Sequence, residues 1–287
     1  MNNIEIIGPG TVEIGQAASI GAGVKAIFSK PAHITLGDYV TIGDGTKFIV
    51  DGGAISVGDW STLHNDTTVL SKGGVSIAQH CWFGQQVVID GTGGMHIEDG
   101  VRVGMYSQLW SHVAAGEQIE GCTLCSETPT FIEADVWLVG TCFVASGVTV
   151  GRRTIALSGA NITKSFPANS VVAGAPARLR EGVSFYRDIT IDEKFAMLEG
   201  WLRSYCAHEP DVRLELGEHS LLVSSEDPLA GRVAFHKTMP AVLPPDAGAP
   251  TTHCCLTDKS YHKVFTALER KVLKYLSGNK ARFYSRD

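Results

Sequence analysis

No stretch of this chain approaches the roughly 18 consecutive apolar residues that a membrane-spanning helix needs. Nor is there an excess of basic residues: 24 Lys and Arg face 30 Asp and Glu, a formal net charge of −6. Without a basic stripe to replace phosphate counterions, nucleic-acid binding is not expected, and any anionic ligand must be met by a few local cations. A disulfide framework is missing as well. The seven cysteines stand at positions 81, 122, 125, 142, 206, 254 and 255, an odd and scattered set. Cys122 and Cys125 have the spacing of half a zinc site, but no second such pair completes it. Free thiols and no metal are therefore expected. Met1–Gly10 has neither a basic start nor an apolar centre, so no signal peptide is expected and the expected location is cytoplasmic. What is present is a globular composition, 44% hydrophobic and 19% charged. Its 287 residues suffice for two domains, or for one repeat domain with an appendage.

Glycine, at 32 residues, is plentiful and ordered. Aliphatic or aromatic residues recur every six positions, as in Leu36, Ile42 and Phe48, or Ile77, Phe83 and Ile89. The longest run is Ile132, Leu138, Val144, Val150, Ala156 and Ile162. Gly often follows directly, at Gly15, Gly37, Gly43, Gly58, Gly104 and Gly151. Four residues after these anchors stands a second column of small or β-branched residues, among them Val40, Thr46, Ser61, Thr67, Cys81, Val87, Ser107 and Cys142. A period of six fits neither the 3.6 of a helix nor the 2 of a flat strand. It fits a coil with three flat sides, large anchors inside and the small column beside them. Glycine is expected to relieve the corner after each anchor by adopting positive φ. The phase slips at Gly52-Gly53, Gly73-Gly74 and Gly93-Gly94, which reads as one corner bulged in three successive coils of about twenty residues. A β-sandwich would instead alternate with period two. The repeat does not dictate handedness. Between Leu109 and Ile132 the period fails, so one coil must extrude a loop, and loops on rigid scaffolds commonly carry the chemistry.

From Gln108 to Arg180 the chain resembles the hexapeptide-repeat acetyltransferases, the group of galactoside, maltose and xenobiotic acetyltransferases. The matching strings are Trp110-Ser111-His112, Val136-Trp137-Leu138-Val139-Gly140, the run Ser146–Gly151, Asn161-Ile162-Thr163-Lys164 and, most specifically, Pro167–Arg178. The resemblance implies an all-β left-handed parallel β-helix, a homotrimer, and acetyl-CoA lying in the groove between neighbouring prisms. It also implies transfer of an acetyl group to a hydroxyl of a sugar or glycan, with His112 as general base. An imidazole titrating near neutrality suits removal of a proton from an attacking hydroxyl. The plain alternative is a solvated loop histidine. Glu117, Glu120, Glu127 or a backbone carbonyl are the candidates to orient the ring.

For the cofactor, the resemblance implies Trp137 beside the pantetheine arm and Lys164 and Arg178 facing the CoA phosphates. It implies close backbone approach and N–H donors at Gly140, Gly159 and Ala160, with Arg152-Arg153 as a further cationic pair. Against these stand plainer roles, an aromatic over a coil corner and ordinary exposed charge. Transfer to the amine of an amino sugar is the neighbouring alternative. Further off are a γ-type carbonic anhydrase, suggested by His64, His80, His96 and His112, and a non-catalytic scaffold.

The repeat ends near Arg180, which divides the chain into a β-helix domain over residues 1–180 and a small α+β C-terminal domain over 181–287. Thr190-Ile191-Asp192-Glu193 reads as a capping box, followed at helical spacing by Phe195, Leu198, Leu202 and Tyr205. Val212–Leu216 and Leu221–Val223 read as a hairpin. Met239–Thr252, with four prolines, reads as a loop. Asp258–Ser277 reads as an amphipathic helix stopped at Gly278. This domain is expected either to shape the acceptor pocket or to cap the solenoid.

Overall fold

The computed structural model describes residues 4–243 and 248–286. The first three residues of the N-terminal segment read above, and residues 244–247 of the proline-rich loop, lie outside the described residues. Two compact units form, one up to Tyr186 and the other from Arg187 onward.

The first unit is the three-sided coil that the six-residue period predicts, with the architecture of a left-handed parallel β-helix. Among the described residues its faces carry eight, seven and nine strands. On the first face Lys47–Val50, Thr68–Ser71, Val88–Gly91 and Gln108–Leu109 stack in parallel, with Thr68 opposite Val88 and Val88 opposite Gln108. The twenty-residue coil is thus an observed register. On the second face Ile55–Val57, Val75–Ile77, Met95–Ile97 and Thr130–Ile132 pair in the same way. The third carries Trp82–Phe83, Arg102–Val103, Trp137–Leu138 and Ile155–Ala156.

The anchors fill the prism. Phe48, Val69, Ile89, Leu109, Val144 and Ile162 follow one another down the first face, all fully buried. Burying one such side chain stabilises the fold by about 1.5–3 kcal/mol. The small column is buried beside them, and its hydroxyls find backbone partners. Ser61 Oγ donates to Ala78 O at 2.8 Å and Thr67 Oγ1 to His64 O at 2.7 Å.

The corner works differently from the sequence expectation. The Gly residues that follow the anchors have ordinary φ, and what they supply is room. A Cβ on Gly104 would lie 2.0 Å from Val139 O of the next coil, and one on Gly151 would lie 2.4 Å from Ala168 N. Positive φ instead falls three residues after the anchor, largely on residues with side chains: Tyr39, Trp60, His80, Gln86, Tyr106 and Arg153 lie between +56° and +61°. Each such residue costs on the order of 1 kcal/mol. Inter-coil hydrogen bonds offset it, Trp60 N donating to Asp38 O at 3.0 Å and His80 N to Asp59 O at 2.8 Å. Stacking adds to this, with Tyr39 on Trp60 at 4.1 Å between ring centroids and Trp60 on His80 at 6.1 Å. The Gly pairs do bulge one corner in successive coils, with φ near +103° to +105° at Gly52, Gly74 and Gly94.

In the second unit the capping box forms at Thr190 and Glu193 and opens the helix Ile191–His208, which buries Phe195, Leu198, Leu202 and Tyr205. A six-stranded sheet follows, and its first two strands, Val212–Leu216 and Ser220–Ser225, are the expected hairpin. Two expectations need correction. Thr251 and Thr252 belong to a strand, Thr251–Cys255, and not to the loop. The second helix begins at Ala267 and not near Asp258, because Thr266 caps it by accepting from Glu269 N. The buried Glu269 carboxylate then turns back to accept from the Val264 and Phe265 amides. Tyr261 accordingly sits in a strand paired to Cys254. Among the described residues no helix is long and apolar enough to cross a membrane.

Candidate functional site

The interruption after Leu109 is a hairpin. His112–Ala114 pairs antiparallel with Cys125–Glu127, around a tip that contains the 3₁₀ turn Gln118–Glu120. Its base is tied to the prism, Thr128 N donating to Ser111 O at 2.9 Å and Thr130 Oγ1 to Trp110 O at 2.7 Å. The first-face register then resumes, with Gln108 opposite Phe143 in place of a residue twenty positions on. His112 is thereby held at the junction of a rigid coil and an exposed hairpin.

Its orienting partner is Asp90. The Asp90 side chain is fully buried, and its Oδ2 lies 2.8 Å from His112 Nδ1. Ser111 N and Oγ donate to the same oxygen at 2.9 and 3.0 Å, and Thr92 Oγ1 donates to Oδ1 at 2.6 Å. Burial pushes this carboxyl up. The hydrogen bonds from Thr92, His112 and Ser111 outweigh it and hold the group below its ordinary value. An ionised carboxylate can only accept, so Nδ1 of His112 carries a proton, and in the neutral ring the lone pair falls on Nε2. The His112 side chain is 35% exposed, and Trp110 meets it edge-on at 5.6 Å between ring centroids.

Asp90 replaces all the orienting groups expected from sequence. Glu117 and Glu120 are exposed near the hairpin tip. Glu127 pairs with His112 across the strands, but its carboxylate is held by Lys72 Nζ at 2.6 and 2.8 Å. Two signals could have found Asp90. It is an acid in a column whose earlier members are Ile49 and Leu70, and the twenty-residue coil puts it directly before Trp110.

The other candidates divide between edges of the prism. Through the pairs Leu109–Val144 and Val144–Ile162, Lys164 follows His112 on the same edge two coils on, a backbone separation of about 10 Å. It is exposed, with Nζ 5.6 Å from the centroid of the Phe166 ring. Trp137 stands on the third face, 44% exposed, and Gly140 and Gly159 follow at the edge between third and first faces. Gly159 N–H donates to Gly140 O at 3.0 Å and Ala160 N–H to Leu157 O at 3.1 Å. Close approach at the open Gly159, where an added Cβ would meet nothing within 4 Å, is what that turn offers a ligand. Arg178 lies in a short strand antiparallel to Val171–Ala173, and its Nη1 donates to Ala177 O at 3.2 Å. Neither Lys164 nor Arg178 forms an ion pair among the described residues.

His64, His80 and His96 are dispersed. His64 packs edge-on against Trp82, His80 joins the Tyr39–Trp60 stack, and His96 stacks on Phe131 at 4.9 Å. Among the described residues no three His, Cys, Asp or Glu groups converge as a metal cluster would require, those around Cys122 and Cys125 included.

No family model matches the chain. A stretch of 78 residues is 37% identical to the 2,3,4,5-tetrahydropyridine-2,6-dicarboxylate N-acetyltransferase of Staphylococcus aureus, 27% of this chain and 33% of that enzyme. The chain thus spans about a third of the length of the curated relatives it matches. Two solved structures align with parts of the chain. AntD, an N-acyltransferase from Bacillus cereus seen as a mutant with dTDP and coenzyme A, aligns over 58% of this chain and 92% of its own, with TM-score 0.43 and 14% identity. The hexapeptide-repeat acetyltransferase VCA0836 of Vibrio cholerae, complexed with acetyl coenzyme A, aligns over 61% and 72%, with TM-score 0.34 and 18% identity. In sequence, the 78-residue stretch makes the chain similar to an acetyltransferase.

Proposed function

We propose that the chain is an acetyltransferase that moves the acetyl group of acetyl-CoA to a hydroxyl of a sugar or glycan, with His112 as general base. The observation that carries this reading is the Asp90–His112 pair, a buried anion fixing the imidazole so that Nε2 is the free base. In the reaction Nε2 takes the proton of the acceptor hydroxyl as its oxygen attacks the thioester carbon. The tetrahedral intermediate collapses with loss of the CoA thiolate, and the imidazolium returns its proton to that sulfur. Asp90 does not touch substrate. It positions the ring and stabilises the imidazolium while the proton is held.

Lys164 and Arg178, exposed and without ion pairs among the described residues, suit the phosphates of the donor. Trp137 and Gly159 suit its pantetheine arm. Trp137 and Gly159 lie on a different edge of the prism from His112 and Lys164, which supports a homotrimer whose copies place the base edge of one beside the pantetheine edge of the next. Exposed Trp82, Met105, Tyr106, Trp137 and Phe143 would be covered by such neighbours. A second reading, transfer to an amine, is favoured by the Staphylococcus aureus relative being an N-acetyltransferase, and the same base serves it. In either case a cytoplasmic location, as expected from the sequence, suits the reading.

The test is thiol release from acetyl-CoA against a panel of sugar hydroxyl and amino-sugar acceptors. Acceptor-dependent release is expected, and the acceptor class that stimulates it distinguishes the two readings. Absence of stimulation by any member, in protein that binds acetyl-CoA, counts against a sugar acceptor. Failure to bind acetyl-CoA overturns the acetyltransferase reading.

A further inference from the structure

The C-terminal unit contains a cleft that the transfer reaction does not use. It encloses about 580 Å³ and is lined by Tyr205 and Glu209 at the end of the first helix, and by Arg270, Lys271, Lys274 and Tyr275 of the second. The spacing of 270, 271 and 274 brings the three cations to one side of that helix, while Leu268, Val272 and Leu276 are buried. None of the three makes an ion pair among the described residues, and Glu209 is the one carboxylate in the lining. On a chain of net charge −6, such a concentration of unpaired positive charge is a local feature and not a reflection of composition.

A second observation points independently to a ligand. Tyr205 is 6% exposed, and its hydroxyl is buried with no hydrogen-bond partner. A buried hydroxyl without a partner costs free energy, and native interiors rarely leave one so. Burial, then the charges of Glu209 and Cys206, push the phenol up to about 12, so at neutral pH it keeps its proton and is a donor in waiting. The rings of Tyr205 and Tyr275 lie 5.0 Å apart and give the cleft an aromatic wall beside its cationic one.

We propose that this cleft binds a phosphate ester of a small ring-bearing molecule, its phosphate held by Arg270, Lys271, Lys274 and the Tyr205 hydroxyl. A phosphate has oxygens enough for all four donors, and the flat guanidinium of Arg270 can engage two of them. The ring of the ester lies against Tyr275. This site is independent of the acetyl-transfer reading and stands or falls without it.

The test is calorimetric titration of the full chain carrying Lys164→Ala and Arg178→Ala, so that cations of the β-helix do not report. UMP is the probe, with uridine as the unphosphorylated control. Saturable binding of UMP and none of uridine is expected. Lys271→Gln or Lys274→Gln should each weaken UMP roughly tenfold, and Tyr205→Phe by up to about tenfold. Tyr205→Phe should also leave the unfolding temperature of the unliganded protein unchanged or raised, since the hydroxyl meets no partner there; a marked fall would mean a structural role for it. No saturable UMP binding, equal binding of uridine, or binding indifferent to Lys271→Gln and Lys274→Gln would overturn the proposal.

Discussion

Asp90 and His112, separated by 22 positions in sequence, meet at 2.8 Å because one stands next to the end of the first-face strand of a coil and the other opens the hairpin of the next. The carboxylate is fully buried and the imidazole about a third exposed, so one end of the pair is fixed and the other is open to solvent.

Removal of the base should be felt in turnover. His112→Ala is expected to lower kcat by about 10²–10⁴-fold while acetyl-CoA binding stays nearly intact. His112→Asn keeps a hydrogen bond to Asp90 without basicity and should be nearly as inactive. Retention of most activity by His112→Asn would make His112 a positioning residue.

Asp90→Asn tests the orienting role through two measurements. An amide presents its NH₂ or its carbonyl to Nδ1 without charge, so kcat should drop by about 10²–10³-fold with the KM for acetyl-CoA little changed. Stability should fall by roughly 1.5–3 kcal/mol, the scale of hydrogen bonds to a charged group. The sign with pH follows from the lowered Asp90 value. Its contribution is fully present above the ordinary carboxylate range and is lost as pH falls through the folded value. Denaturation curves of wild type and variant should therefore converge in acid. Parallel curves down to strongly acidic pH would contradict an ionised Asp90.

The proposed phosphate contacts act on a remote part of the donor. Lys164→Ala and Arg178→Ala should each raise the KM for acetyl-CoA roughly tenfold with kcat nearly unchanged. Dephospho-CoA thioesters should narrow the gap between wild type and variant. An undiminished gap would mean that neither residue reads the 3′-phosphate.

Assembly is tested by sedimentation or light scattering. A trimer is expected, and a stable monomer with full activity would refute the shared site, since half of its contacts would be absent.

The two roles of glycine separate in unfolding measurements. Gly104→Ala places a methyl group 2.0 Å from backbone oxygen of the next coil and should cost about 2 kcal/mol or more. Gly159→Ala meets open space at φ +73° and should cost only about 1 kcal/mol. Equal losses would remove close approach as the reason for glycine after the anchors.

The prism was legible because its signal is redundant: the anchors and the small column report the same period independently, and nearly all are buried. The hairpin was legible as a gap, and His112 as the residue at its mouth. Asp90 was not, because an acid is buried there only once the hairpin covers it, and the glutamates close in sequence drew attention first. The second helix was placed too early for a related reason. Tyr261 and Phe265 continue its apolar spacing, yet Thr266 and Glu269 form the cap that fixes its start. The positive-φ residues ran against local preference, since stacking and inter-coil hydrogen bonds override the bias toward glycine.

The hairpin leaves the prism at Ser111 and rejoins it at Thr128, whose N–H donates to Ser111 O and draws the two ends together. The scaffold therefore perceives the excursion as a closed corner, whatever hangs beyond it. Amides at the tip, around Gln118–Gly121, should exchange with solvent orders of magnitude faster than those flanking Asp90, which open only with the coil itself. The segment between Ala115 and Leu124 can then vary in length or composition at an entropic cost that grows only logarithmically. The tip can thus vary while the Asp90–His112 pair stays in the part of the molecule expected to exchange most slowly.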